Sequence, residues 1–152
     1  MNGLPMNLIW FRCDLRTTDN SALLAAADGR PCVALYLLSP AQWREHDDAP
    51  CKVDFWLRNL GELQRQLAAL NIPRLVRVCG HWRQAPEVIG RLCRELGVGA
   101  VHVNQEYGVN EERRDQAVDQ RLREQGVAFH SHLDQLFFAP GSVLTRTGGY
   151  FQ

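Results

Sequence analysis

The chain has 152 residues, 45% of them hydrophobic and 22% charged, and its 17 basic side chains balance its 17 acidic ones. Such proportions describe one globular domain that buries about 70% of its unfolded surface, and they exclude collagen, a disordered tail and a disulfide miniprotein. No apolar run nears the roughly 20 residues that span a bilayer and no signal-peptide pattern opens the chain, so the sequence reads as cytoplasmic with no membrane partner, and zero net charge argues against a domain that grips nucleic acid by itself.

The first apolar run, Leu8 to Phe11, has the length and composition of a strand. It leads into Arg12-Cys13-Asp14-Leu15-Arg16-Thr17-Thr18-Asp19-Asn20, which holds no glycine, so neither a dinucleotide fingerprint nor a P-loop fits there. Arg12 and Arg16 flank Asp14, a pattern that predicts a loop tied together by ion pairs. Asp19 or Asn20 then suits the N-cap of a helix over Asn20 to Asp28. The second run, Cys32 to Leu38, is apolar throughout, as expected of a strand buried on both faces.

After Pro50, the residues Trp56, Leu60, Leu63, Leu67 and Leu70 recur every three or four positions and predict an amphipathic helix, with Trp56 in the core, that Pro73 stops. The third run, Leu75 to Cys79, follows an alternating Arg74-Leu75-Val76-Arg77-Val78 and reads as an edge strand. A helix carrying Val88, Ile89, Leu92, Cys93 and Leu96 follows, closed by Gly97 in a left-handed cap. The fourth run is Ala100 to Val103. A more polar helix from about Glu111 to Gln125, closed by Gly126, precedes the fifth run, Val127 to Phe129. Beyond it the chain passes through Phe137-Phe138-Ala139-Pro140-Gly141 to Tyr150-Phe151-Gln152 with no terminal helix, and is expected to be the first domain of something longer.

Strand and helix alternate throughout, which predicts an α/β fold: a Rossmann-like three-layer sandwich with a five-stranded parallel sheet. Right-handed crossovers and the interior second strand give the order 3-2-1-4-5, with a ligand crevice beyond the carboxyl ends of strands one and four.

Chemistry-bearing motifs are few. The five cysteines include no C-x-x-C and fit reduced thiols. His130 and His132 share a strand face and have the types to bind a metal, but further ligands at zinc-site spacing are missing, so a polar strand end and no metal is the expectation. Glu111, Asp115 and His102 have the chemistry of acids and bases without a spacing that demands it, and no catalytic residue is assigned. Asn110 suits an N-cap, and Glu111 and Glu112 the first turn of a helix.

Three stretches, in order, resemble one family. Trp10-Phe11-Arg12-x-Asp14-Leu15-Arg16-x-x-Asp19-Asn20 is similar to the opening of DNA photolyases and cryptochromes. Leu35-Tyr36 with Pro40, Gln42 and Trp43 is similar to the family's second strand and turn, and Asn104 to Asp115 to the loop and helix after its fourth strand. The tail from Leu136 to Gly141 and Thr147 to Tyr150 resembles the approach to its interdomain linker. The resemblance implies an N-terminal α/β domain over residues 1–135 that helps hold a light-harvesting antenna, and the start of the linker over 136–152. It also implies a helical domain, absent from this chain, that binds FAD and damaged DNA. The implied parent is a monomeric deoxyribodipyrimidine photolyase that splits cyclobutane pyrimidine dimers with light; a cryptochrome-like photosensory domain and a free-standing nucleotide-binding domain are the alternatives. Folate-type members carry an asparagine-glutamate pair matched by Asn110 and Glu111 and a histidine matched by His46, which implies a methenyltetrahydrofolate antenna. A deazaflavin stays open through Lys52 and Asp47-Asp48. The resemblance places another wall of the pocket on the helical domain, and it places the family's photoreducing tryptophans there too, so the four tryptophans of this chain are not expected to carry electrons.

Overall fold

A computed structural model describes residues 4–149. Five parallel strands, β1 (Met6–Phe11), β2 (Cys32–Leu38), β3 (Arg74–Val78), β4 (Val98–Asn104) and β5 (Ala128–His132), lie in the order β3-β2-β1-β4-β5. This is the topology that the apolar runs imply. β2 is buried along its five central residues, whereas β3 is half-buried at its start and exposed at its end, as its alternating arginines require.

The helices are α1 (Ser21–Ala26), α2 (Pro40–Glu45), α3 (Pro50–Ala69), α4 (Ala85–Leu96) and α5 (Val109–Arg123), with a 3₁₀ turn at Trp82–Gln84. Leu8, Leu35, Val101 and Val103 of the sheet pack with Ile89 and Leu92 of α4 and Val118 and Leu122 of α5. On the other face Ile9, Phe11, Ala34 and Tyr36 pack with Leu23 of α1 and Leu60, Leu63 and Leu67 of α3. Alternate strand residues thus serve opposite layers, which is how a two-sided parallel sheet buries every position.

Four local expectations change. Asn20 does cap α1, its side chain accepting the Leu23 N–H at 2.9 Å, but α1 ends at Ala26 rather than Asp28. Helix α5 starts two residues before Glu111, with Gly108 at the N-cap, so Asn110 lies inside the first turn and caps nothing. Leu70 is exposed at the end of α3, and Trp56 is only half-buried, because the stripe of α3 turns away from the sheet at both ends. Gly97 closes α4 at φ +65°, as expected. Residues 133–149 form no helix or strand, and Tyr150 to Gln152 lie outside the described residues. Among the described residues no helix is long and apolar enough to cross a membrane.

The histidines of β5 meet a third. His102 of β4 stacks on His132 with ring centroids 5.3 Å apart and lies 4.9 Å from the ring of His130, and its Nδ1 is 3.0 Å from His132 Nε2. Stacked rings do not point their lone pairs at one centre, and no metal-holding group occurs among the described residues. Burial, then the neighbouring His130 and His132 and the charge of Arg30, push His102 down to about 4. The unfolded chain therefore takes up this proton first, so stability is full above about pH 6.5 and declines as the pH falls toward about 4. Denaturation series between pH 7 and 4.5 should show this loss, and His102→Gln should flatten it; an unchanged slope in the variant would contradict the assignment.

Candidate functional site

The carboxyl ends of β1, β2 and β4 open into a cleft of about 540 Å³, mouth included. All four tryptophans of the chain, Trp10, Trp43, Trp56 and Trp82, line it together with Tyr36. The tryptophans come from β1, α2, α3 and the 3₁₀ turn, so four separate elements converge on one space. Trp56 faces Trp43, with ring centroids 6.1 Å apart and tilted by 41°, and Lys52 Nζ sits 4.8 Å above the Trp56 ring while pairing with Asp48 at 2.6 Å. Trp56 is therefore a wall of the cleft rather than core.

The loop after β1 is built differently from the ion-paired loop that its charges suggest. Asp14 accepts hydrogen bonds from neutral donors: the Arg12 backbone N–H at 2.9 Å and Asn104 Nδ2 at 2.6 Å. Asn104 also donates to Asn20 Oδ1 and accepts the Ala22 N–H, both at 2.9 Å. The two arginines reach outward instead. Arg16 pairs with Asp134 beyond β5 at 2.7 Å, and Arg12 with Asp115 of α5, donating to both carboxylate oxygens at 2.9 and 3.1 Å. A second Nη of Arg12 donates to the Asn104 carbonyl.

Arg114 completes this floor. It donates to Glu106 at 2.6 Å and to Asp115 at 2.9 Å, and its guanidinium lies 4.9 Å from the Trp10 centroid and 4.7 Å from that of Trp82. Burial works against the charge of Glu106, yet Arg12 and Arg114 overcome it and hold the carboxyl below its ordinary value. Burial likewise opposes the Arg114 charge, and Asp115 and Glu106 reverse the effect. Cys13 is exposed at the surface, yet local desolvation and then the Glu106 carboxylate beside it push its thiol up to about 12.

The three residues singled out as ligands do not share one hollow. Glu111 lines the aromatic cleft, whereas His46 and Asn110 line a shallower depression beside it. Glu111 folds back over Gly108, where an added Cβ would come within 2.0 Å of its carboxylate. His46 is set by Gln42: the Gln42 carbonyl oxygen accepts the Trp82 N–H at 3.2 Å, so its amide nitrogen donates to His46 Nε2 at 2.7 Å. That leaves Nδ1 as the ring nitrogen open to a further partner. Sequence reasoning assigned nothing to Glu106, Arg114 or Trp82. Glu106 and Arg114 stand inside the stretch from Asn104 to Asp115, but only packing shows their charges meeting.

A model of the DNA photolyase family matches residues 7–152. The chain belongs to the DNA photolyase family. It is 40% identical over 148 residues to a deoxyribodipyrimidine photo-lyase of Vibrio cholerae, covering 97% of this chain and 32% of that one. Among solved structures, a bacterial class III photolyase from Agrobacterium tumefaciens superposes with a TM-score of 0.76 at 28% identity, over 99% of this chain and 30% of that one. An archaeal photolyase from Sulfolobus tokodaii, described with two FAD molecules and a novel light-harvesting cofactor, gives 0.78 at 26% identity over 93% of this chain and 32% of that one. This photolyase-family chain thus spans about a third of the length of the curated relatives it matches.

Asn104 is the residue on which this photolyase-family loop turns. Asn104→Ala removes two donors and an acceptor from a buried site and leaves Asp14 short of a partner, which should cost about 2–4 kcal/mol. Urea denaturation of the variant checks this, and a change below about 0.5 kcal/mol would contradict the assignment.

Proposed function

We propose that this chain is the antenna-binding α/β domain of a deoxyribodipyrimidine photolyase, a light-driven DNA repair enzyme of the cytoplasm that works as a monomer. FAD and damaged DNA are held by the helical domain of the parent, and no catalytic residue belongs to this chain. The observation that carries the reading is the convergence of all four tryptophans and Tyr36 on a cleft at the switch point, with the Glu111 carboxylate on its margin. Flat aromatic walls over a floor of charged side chains suit a planar heteroaromatic ligand with a polar edge.

The donor set fits a folate. The Glu111 carboxylate can accept from the amino group and ring N–H of a pterin edge, the Asn110 amide can both donate and accept, and His46 offers Nδ1. Methenyltetrahydrofolate, when bound, supplies near-ultraviolet absorption whose energy passes to FAD. The chain's own residues orient the ring and exclude water from it. A deazaflavin is the second reading, favoured by the aromatic inner cleft with Lys52 and Asp48 at Trp56.

Titration of the parent protein, whose helical domain supplies the pocket's other wall, with methenyltetrahydrofolate, followed by its absorption, tests the assignment. Glu111→Ala should weaken binding by about 1–3 kcal/mol, the cost of an unpaired donor edge. Its stability should fall by only about 0.3–1 kcal/mol, the worth of a first-turn acid. Asn110→Ala should weaken binding with little loss of stability, because Gly108 and not Asn110 is the cap. Full retention of affinity in Glu111→Ala would reduce that residue to a helix-terminal acid.

The charge balance carries a further expectation. With 17 basic and 17 acidic residues, the chain lacks a basic excess to grip phosphates. It should bind duplex DNA only weakly at physiological salt and repair none; sub-micromolar binding in a fluorescence anisotropy assay would place the DNA-binding function in this domain instead.

A further inference from the structure

The aromatic cleft and the outer depression have only two lining residues in common, Trp82 and Arg114. On the cleft side lies Glu111; on the other lie His46 and Asn110. Trp82 is half-buried and held from three directions. Its ring packs on the Arg114 guanidinium at 4.7 Å, its ring centroid is 6.0 Å from that of His46, and its backbone N–H donates to the side-chain oxygen of Gln42. Arg114 is itself buried, and its Nε and one Nη are held by Asp115 and Glu106, which fixes the plane of its guanidinium. Its remaining role is to present a flat cationic face on which the indole rests.

We propose that Trp82, positioned by Arg114, is the specificity-determining residue of this site: it separates the two hollows and offers the ring face on which a planar ligand stacks while reaching groups on both sides. The proposal rests on the antenna reading. With the indole in place, a ligand that touches Glu111 and His46 together must lie against it, and the cleft behind it stays closed to a longer ring system. Removing the indole joins the hollows, which takes away the stacking face and opens a longer slot.

Two probes, offered to the parent protein in which the helical domain completes the pocket, read this out: methenyltetrahydrofolate, and FMN as a straight tricyclic ring. Trp82→Ala should weaken folate binding about tenfold or more, the fold-change expected for loss of one aromatic stacking face. It should bind FMN no less tightly than the unmodified parent, so the folate-to-FMN preference drops by the same factor. Trp82→Phe, which keeps a ring face, should retain the preference within about threefold. Thermal melts confirm that each variant folds, and Trp82→Leu replaces the alanine variant should that one fail to fold. A preference unchanged in Trp82→Ala, or lost equally in Trp82→Phe, overturns the partition while leaving the antenna reading intact. If the parent protein, with its helical domain completing the pocket, binds neither probe, the antenna reading falls and the partition with it.

Discussion

The site depends on how one buried carboxylate is satisfied. Asp14 sits at the carboxyl end of β1, 6% exposed, where water cannot serve it. An unpaired charge in such a place is costly enough to unfold the loop. Donors from three places meet that demand: the loop's own backbone, Asn20 at the start of α1 and, above all, Asn104 at the end of β4. Because Asn104 also holds the Ala22 N–H, the same side chain fixes the first strand's loop, the first helix and the fourth strand together. In nucleotide-binding relatives of this topology a glycine-rich turn lets backbone amides approach a phosphate. Here side-chain amides occupy that junction, so the loop is self-satisfied and the ligand space shifts to the aromatic cleft beside it.

Once Asp14 is satisfied by neutral groups, Arg12 is free to reach α5. Its pairing with Asp115 and that of Arg114 with Glu106 and Asp115 place two guanidinium and two carboxylate groups in a nearly dry layer under the cleft. Such a layer is weak evidence of stability, since desolvation offsets most of the attraction. Its effect is positional. The planes of both arginines rest on Trp10 and one of them on Trp82, which locks the aromatic walls at fixed angles before any ligand arrives. Preorganised walls spare a ligand the ordering cost of side chains that would otherwise have to settle around it.

The three imidazoles at β4 and β5 show the opposite use of the same types of residue. His102 and His132 are both held below their ordinary pKa, chiefly by burial. Close rings that remain neutral can stack and share a hydrogen bond; the same rings protonated would repel. The polar strand end that the sequence suggested for His130 and His132 is, in three dimensions, packed against a third imidazole from the neighbouring strand.

Strand order, the interior place of β2, the edge place of β3 and the caps at Asn20 and Gly97 were all legible in the chain, because each follows from local periodicity or from one residue's backbone preference. The family was legible too, since its motif residues lie close together in sequence. The wall role of Trp56 was not: periodicity places it on the same stripe as Leu60, and only the packing of α3 beside the carboxyl ends of β1 and β2 decides that it faces a cleft. Nor was the start of α5, where Gly108 takes the cap and leaves Asn110 inside the helix. The amino-acid sequence by itself determined the layers, because burying alternate apolar residues has one economical solution in a two-sided sheet. Tertiary structure alone decided the site, because Arg12 and Asp115 are 103 positions apart and Asp14 and Asn104 are 90 apart, and no local rule reports which distant charges will meet in a space without water.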